Sequence, residues 1–249
     1  MQPARIADLL APFLPARPLS PLQLEQVSNH LDLLLQWNAR INLTSVRSPE
    51  DIIARHFGES FFLAQTLFPS GKASAITPQS PVPGPVASDP RSPVAPPLSH
   101  AFRDRVGTSA QTPPQSACDL GSGAGFPGLP LKIWQPALSL TLIESNAKKA
   151  TFLKEVIRKN TLTEINVFSG RAEDLAITAD LVTMRAVDRF ERSLPLATHL
   201  LNATGTLALL IGASQVSAAN SLGSIHWRTP LPLPLSNSRL LLLGAKRAD

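Results

Sequence analysis

The 249-residue chain contains a single cysteine, Cys118. That excludes a disulfide framework and a zinc site built on thiolates. Tyrosine is absent altogether, and aromatic residues make up only 5% of the chain. Charged residues are scarce at 16%, against about 25% in an average domain, which excludes a charge-driven disordered protein. No apolar run is long enough to span a bilayer. Residues 6–16 are apolar but broken by Asp8, Pro12 and Pro15, and they lack the core of a signal peptide. One cysteine and no export signal point to the cytoplasm.

What is present is a hydrophobic content of 43%, enough for a sizeable core. Lys and Arg total 23 against 18 Asp and Glu, giving a net charge of +5. A basic balance favours phosphate-rich partners, although +5 is also an ordinary charge for a soluble protein. The 24 prolines are unevenly spread, with ten of them between Pro78 and Pro114. Residues 69–116 are otherwise rich in Ser, Ala and Gly. Such a stretch buries too little apolar surface to offset its ordering entropy and is expected to be a disordered or polyproline-like insertion. The expected organisation is a helical segment over 1–68, the insertion over 69–116, and a further domain over 117–249.

Local signals place two helix starts in the first segment. Ser20-Pro21-Leu22-Gln23 has the form of a capping box with Pro in the first turn. Leu24, Val27, Leu31, Leu34 and Leu35 follow at helical spacing. Ser48-Pro49-Glu50-Asp51 opens a second helix, with acids at its N-terminus. Trp37–Ser45 between them reads as a polar loop with apolar anchors, Trp37 being one.

Beyond residue 116 the pattern alternates. Strands are expected over 117–120, 138–143, 165–168, 181–184 and 205–211, with helices over 148–159 and 193–201. Residues 225–228 and 240–243 suit a terminal strand pair. Alternation of this kind implies an α/β fold with a doubly wound, mostly parallel sheet.

The first strand runs into Asp119-Leu120-Gly121-Ser122-Gly123-Ala124-Gly125-Phe126-Pro127-Gly128. Glycines here let a ligand approach the backbone, and the helix that follows presents free N–H groups. A dinucleotide fingerprint requires Gly-x-Gly-x-x-Gly. From Gly121 the third place is Phe126; from Gly123 it is Gly128, beyond a proline. The spacing suits instead a nucleoside without pyrophosphate, such as S-adenosylmethionine. Glu144 ends the second strand, where an acid can accept both ribose hydroxyls; alone it would read as a solvated Glu at a helix start. Arg171-Ala172-Glu173-Asp174 follows the third strand and borders the same crevice, or is an ordinary polar loop. Arg185 falls just past the fourth strand, either a working group or a paired surface arginine.

The absences limit the reaction. No Asn/Asp-Pro-Pro-aromatic motif of amino-group methylases occurs. Cys118 lies inside a strand and reads as a buried thiol rather than a nucleophile. A ring nitrogen such as guanine N7 has a free lone pair and loses no proton on attack, so it needs positioning rather than a base. His30, His100, His199 and His226 have no ligand spacing, so no metal is expected.

These residues resemble the RsmG (GidB) family, the bacterial 16S ribosomal RNA guanine-N7 methyltransferases. LLLQWNARINLTSVRSPEDIIARH, DLGSGAGFPGLPL, LIESNAKKATFLKEV, GRAEDL and TMRAV occur in family order within residues 20–67 and 117–243. The resemblance implies a Rossmann-like class I S-adenosylmethionine-dependent methyltransferase sheet of seven strands with a small N-terminal helical extension. It implies that Gly121 and Phe126 line the cofactor site and that Ala172 and Glu173 sit at the adenine, which adds to the cofactor-binding reading of Gly123 in the same loop and of Glu144. Arg185 is implied near the methionine end or the target guanine, as the catalytic residue. His56 and the Trp37–Ser45 block would belong to an N-terminal face beside the active site. The implied partner is small-subunit ribosomal RNA, with no metal and no membrane, and a monomer is favoured. Three positions depart from the family pattern: Glu59 stands where the family tends to have Asp, Met184 where Ser is common, and Ile211 where a Lys precedes Gly. Arg189, Arg192, Arg228, Arg239, Lys246 and Arg247 could form an RNA-facing rim. The rival readings are a small-molecule methyltransferase and a weakly active or inactive RNA-binding relative. A nicotinamide dehydrogenase is disfavoured by the glycine spacing.

Overall fold

A computed structural model describes residues 1–69, 113–187 and 190–247. The expected insertion therefore lies almost wholly outside the described residues. Helix α1 (Pro3–Leu10) and a 3-10 turn (Ala11–Phe13) open the chain and bury Ile6, Leu10 and Phe13. Within the expected helical segment over 1–68, no helix start is expected before Ser20. Pro3 and Pro12 stand in first turns, where no intrahelical N–H is needed.

Helix α2 (Pro21–Ile41) begins at the expected capping box, Ser20 with Gln23. It runs through Trp37, Asn38 and Ile41, which the spacing assigned to a loop, and stops at Asn42 in the left-handed conformation. The extra turn is held from outside the helix. Trp37 packs against Phe152, and its Nε1 donates to Glu155 at 2.8 Å. Helix α3 (Pro49–Ile52) is capped by Ser48, as expected, and passes through a π-helical turn (Ile53–Gly58) into α4 (Glu59–Leu67).

The second part contains β1 (Ser116–Leu120), α5 (Gly128–Trp134), β2 (Ser139–Ile143), α6 (Ala147–Lys159), β3 (Ile165–Phe168), β4 (Ala179–Arg185), α7 (Phe190–His199), β5 (Leu201–Gly212), α8 (Val216–Asn220), β6 (Ile225–Trp227), β7 (Leu231–Pro232) and β8 (Arg239–Lys246). The strand order is β3-β2-β1-β4-β5-β8-β6, with the short β7 beside β8. β1 to β5 are parallel, and β8 runs antiparallel to β5 and β6. This is the expected doubly wound α/β sheet. The boundaries around α7 and β5 differ most from expectation. α7 ends at His199, and β5 starts at Leu201 rather than Gly205, because Leu201 pairs with Ala179 across a register irregularity.

Period-two alternation splits the core. Ala208 and Leu210 of β5 face the N-terminal helices, whereas Leu207, Leu209 and Ile211 face α7 and α8. α2 packs on α6 and α4 on α5, and the helices and sheet form one compact unit. The strand order reverses between β1 and β4, so the carboxyl ends of β1, β2 and β4 open on one crevice. Among the described residues no helix is long and apolar enough to cross a membrane.

Candidate functional site

The glycine loop leaves β1 with Gly121, Gly123 and Gly125 at φ of 71°, 53° and 89°, a region L side chains avoid. Gly121 and Ser122 donate their N–H groups to the Ile143 carbonyl, at 3.0 Å each. Below the loop lies Asp119, fully buried. Its carboxylate accepts from Gly128 N–H at 3.1 Å and from the Thr183 hydroxyl at 2.7 Å. Burial pushes this carboxyl up to about 6, against the pull of its hydrogen bonds. Asp119 thus ties β1 to β4 and to the start of α5.

Glu144 follows β2 and is buried. One carboxylate oxygen accepts from Gly123 N–H at 2.9 Å and the other from Asn146 N–H at 2.8 Å. Asn146 in turn caps α6, accepting from the N–H groups of Lys148 and Lys149. Past β3, a 3-10 turn (Ala172–Asp174) presents Ala172 buried and Glu173 exposed. Arg185 is the last residue of β4, not just past it as expected. Gly121, Gly123, Phe126, Glu144, Ala172, Glu173 and Arg185 all line one cavity of about 840 Å³. The sequence-derived set is therefore brought together in full.

The facing wall comes from the N-terminal helices. Asn38 clamps Thr44 through both backbone groups: its side-chain amide donates to the Thr44 carbonyl at 3.0 Å, and its oxygen accepts from Thr44 N–H at 2.9 Å. The π-helical turn puts Arg55 and His56 on the cavity. Arg185 Nη2 donates to the Arg55 carbonyl at 3.0 Å, to His56 Nδ1 at 2.8 Å and to Glu59 at 3.3 Å. Because Nδ1 accepts, Nε2 carries the proton and donates to the Thr44 hydroxyl at 2.7 Å. Burial, with Arg185, Arg239 and Arg55 nearby, pushes His56 down to about 2, so it stays neutral at pH 7. Glu59 is buried and also pairs with Arg239. Burial lowers Arg185 to about 10, and the guanidinium remains charged. Cys118 is buried, and burial raises its thiol to about 11, which leaves it no thiolate at neutral pH.

His30 is a site-supporting residue that sequence reasoning missed. It lies buried on α2, donates Nε2–H to the Ala124 carbonyl at 2.9 Å and stacks on Phe126 at 5.0 Å between centroids. Burial lowers it to about 4. The sequence carried no sign of its partner 94 residues away. Of the expected basic rim, Arg239 lies in the cavity wall and Lys246 Nζ donates to the Leu201 carbonyl. Arg192 lines a separate, smaller cavity, and Arg189 lies outside the described residues, as does His100. Ile211 is buried in the core.

The buried histidines set a pH dependence of stability. Unfolded, an imidazole titrates near 6.5, but folded His30 and His56 hold protons only near 4 and 2. Between pH 6.5 and 4 the unfolded chain binds protons on both sites that the folded chain does not, so acid destabilises. Asp119 acts oppositely, since folding raises its pKa from 3.8 to about 6. Two sites against one leave an expected loss of about 1.4 kcal/mol per pH unit from pH 6 to 4. Urea unfolding at stepped pH measures it. In a His30→Gln variant the His56 and Asp119 effects cancel, and the curve should be flat over the same window.

The family model described as rRNA small subunit methyltransferase G (GidB) matches residues 23–75 and 100–223. The chain is 32% identical to ribosomal RNA small subunit methyltransferase G of Xylella fastidiosa (strain 9a5c), over 88% of this chain and 84% of that one. It is 32% identical to the protein of the same name from Desulfitobacterium hafniense (strain Y51), over 92% and 78%. Among solved structures, a ribosomal protein L11 methylase from Lactobacillus delbrueckii subsp. bulgaricus aligns with a TM-score of 0.47 and 16% identity, over 56% of this chain and 73% of that one.

Proposed function

The chain belongs to the rRNA small subunit methyltransferase G (GidB) family, and from that premise we propose that it methylates N7 of a guanine in 16S ribosomal RNA, using S-adenosylmethionine, in the cytoplasm. The single observation that carries the N7 reading is the state of the N-terminal wall. His56 is neutral and engaged at both ring nitrogens, and Glu59 is paired with two guanidiniums. This wall can orient a base but has no group ready to take a proton, and N7 needs none removed.

The residues of the cavity fit the cofactor. Its volume is in the range of small-molecule sites. Glu144 is fixed at the strand end by two backbone donors, a rigid acceptor suited to a ribose diol. Gly121 and Gly123 leave the loop backbone bare, and Ala172 leaves room beside it for an adenine, with Glu173 at its edge. When bound, S-adenosylmethionine supplies a sulfonium methyl group that the N7 lone pair accepts, the C–S electron pair returning to sulfur with no proton released. Phe126, stacked on His30 and 5.1 Å from the His56 ring, forms a flat apolar wall between cofactor loop and N-terminal face. The described contacts of Arg185 run through Nη2, which leaves Nε and Nη1 as donors to orient the methyl donor against the base.

The test is transfer from labelled S-adenosylmethionine to unmodified small ribosomal subunits and to their stripped RNA, with the modified base identified. Label recovered as 7-methylguanine is the expected result. Label on another base, or on a metabolite and not on RNA, would overturn the reading.

A further inference from the structure

We infer that Arg55 and Arg239 form a subsite for a phosphodiester of the RNA strand beside the target base; this deepens the rRNA reading and rests on it. Three arginines, Arg55, Arg185 and Arg239, line the same cavity. Two of their guanidiniums meet at one corner of it: Arg185 and Arg239 both donate to the main-chain carbonyl of Arg55, at 3.0 and 3.2 Å. Glu59 pairs with Arg185 and Arg239. Arg55 itself is exposed and has no ion-pair or side-chain hydrogen-bond partner among the described residues. Asp119 lies near Arg185 but is already held by Gly128 and Thr183. His56 adds no charge. The corner therefore carries more positive charge than its carboxylate neutralises, while Glu144 and Glu173 line the same cavity from β2 and β3.

Crowded guanidiniums repel one another, and Arg55 lowers the pKa of both its neighbours. An anion bound between Arg55 and Arg239 relieves that repulsion, and the planar donor fork of arginine matches two phosphate oxygens. A cofactor carboxylate is the other candidate anion. Exposure separates them. Arg185 is the buried member, with a side chain 10% exposed, and can meet a group deep in the cavity. Arg239 is 24% exposed and Arg55 more so. The two outer guanidiniums thus stand at the mouth, where a polymer backbone passes.

The experiment measures binding of unmodified 16S rRNA transcript at several salt concentrations, and of S-adenosylmethionine by calorimetry, for the wild type, Arg55→Ala, Arg55→Lys and Arg239→Gln. Arg55→Ala should weaken RNA binding about tenfold and flatten the log–log salt dependence by about 0.7 to 0.9, with cofactor affinity unchanged. Arg55→Lys should restore the salt slope, since it keeps the charge. Arg239→Gln should act like Arg55→Ala; should it fail to fold, the exposed Arg55 still decides. Unchanged RNA affinity and slope in Arg55→Ala would overturn the subsite, as would a loss confined to cofactor binding. A wild type that neither binds nor methylates the transcript or the subunits would overturn the rRNA reading itself.

Discussion

Replacing Arg185 with Ala should lower the turnover of methyl transfer about 10² to 10³-fold, the usual range for removing one preorganised donor from an active site. Its fold should survive. Glu59 would keep Arg239 as its partner, so the change leaves no unpaired buried charge, the situation that makes such deletions severe. It would also remove one of three mutually repelling guanidiniums. A loss of stability below about 2 kcal/mol is expected for the hydrogen bonds to the Arg55 carbonyl and His56. Arg185→Lys should recover little, because a point ammonium cannot hold those acceptors and still present donors to the cavity. Turnover numbers and thermal melts on the same preparations check this. Near-wild-type turnover in Arg185→Ala, or a collapse of the melt, would remove Arg185 from its proposed role.

The second large effect should be on folding. At Gly128 an added Cβ would lie 2.4 Å from Leu142 Cδ2 and 2.7 Å from the Asp119 carboxylate. Both neighbours are buried in the centre of the sheet, and the Asp119 oxygen is the one that accepts Gly128 N–H. Gly128→Ala must therefore displace core packing and break a buried hydrogen bond together. A cost of about 3 kcal/mol or more is expected, lowering Tm by roughly 10 °C for a chain of this size. Gly123→Ala is the contrasting case. A Cβ there meets nothing closer than 3.8 Å, so the cost is that of a left-handed backbone, about 1 to 2 kcal/mol. Calorimetric melts should rank the pair in that order; equal melts would show that the contact at Gly128 relaxes freely.

Much of the fold was legible because its signals are local. Ser20 and Ser48 cap helices through donors three residues away. β1, β2 and β3 read as short apolar runs with turns at their ends. The glycine loop and Glu144 are 21 residues apart from Gly123 to the acid, and a strand-loop-helix-strand unit of that length brings them together by parallel pairing alone. What was misread had distant support. The last turn of α2 is held by Glu155 and Phe152 of α6, and α1 became a helix because Ile6, Leu10 and Phe13 had a core to enter.

The sequence by itself determined the sheet, the glycine loop and which acids stand at the strand ends, because caps, period-two alternation and loop spacing act over a few residues. Only the tertiary structure decided how the active face is charged. Arg185 meets Arg55, His56 and Glu59 from 126 to 130 residues away, and Arg239 reaches Arg55 across 184. No local pattern encodes that meeting. It follows from docking the π-helical turn against the carboxyl end of β4 and the start of β8, where burial makes one carboxylate, one neutral imidazole and three guanidiniums settle one another's charge.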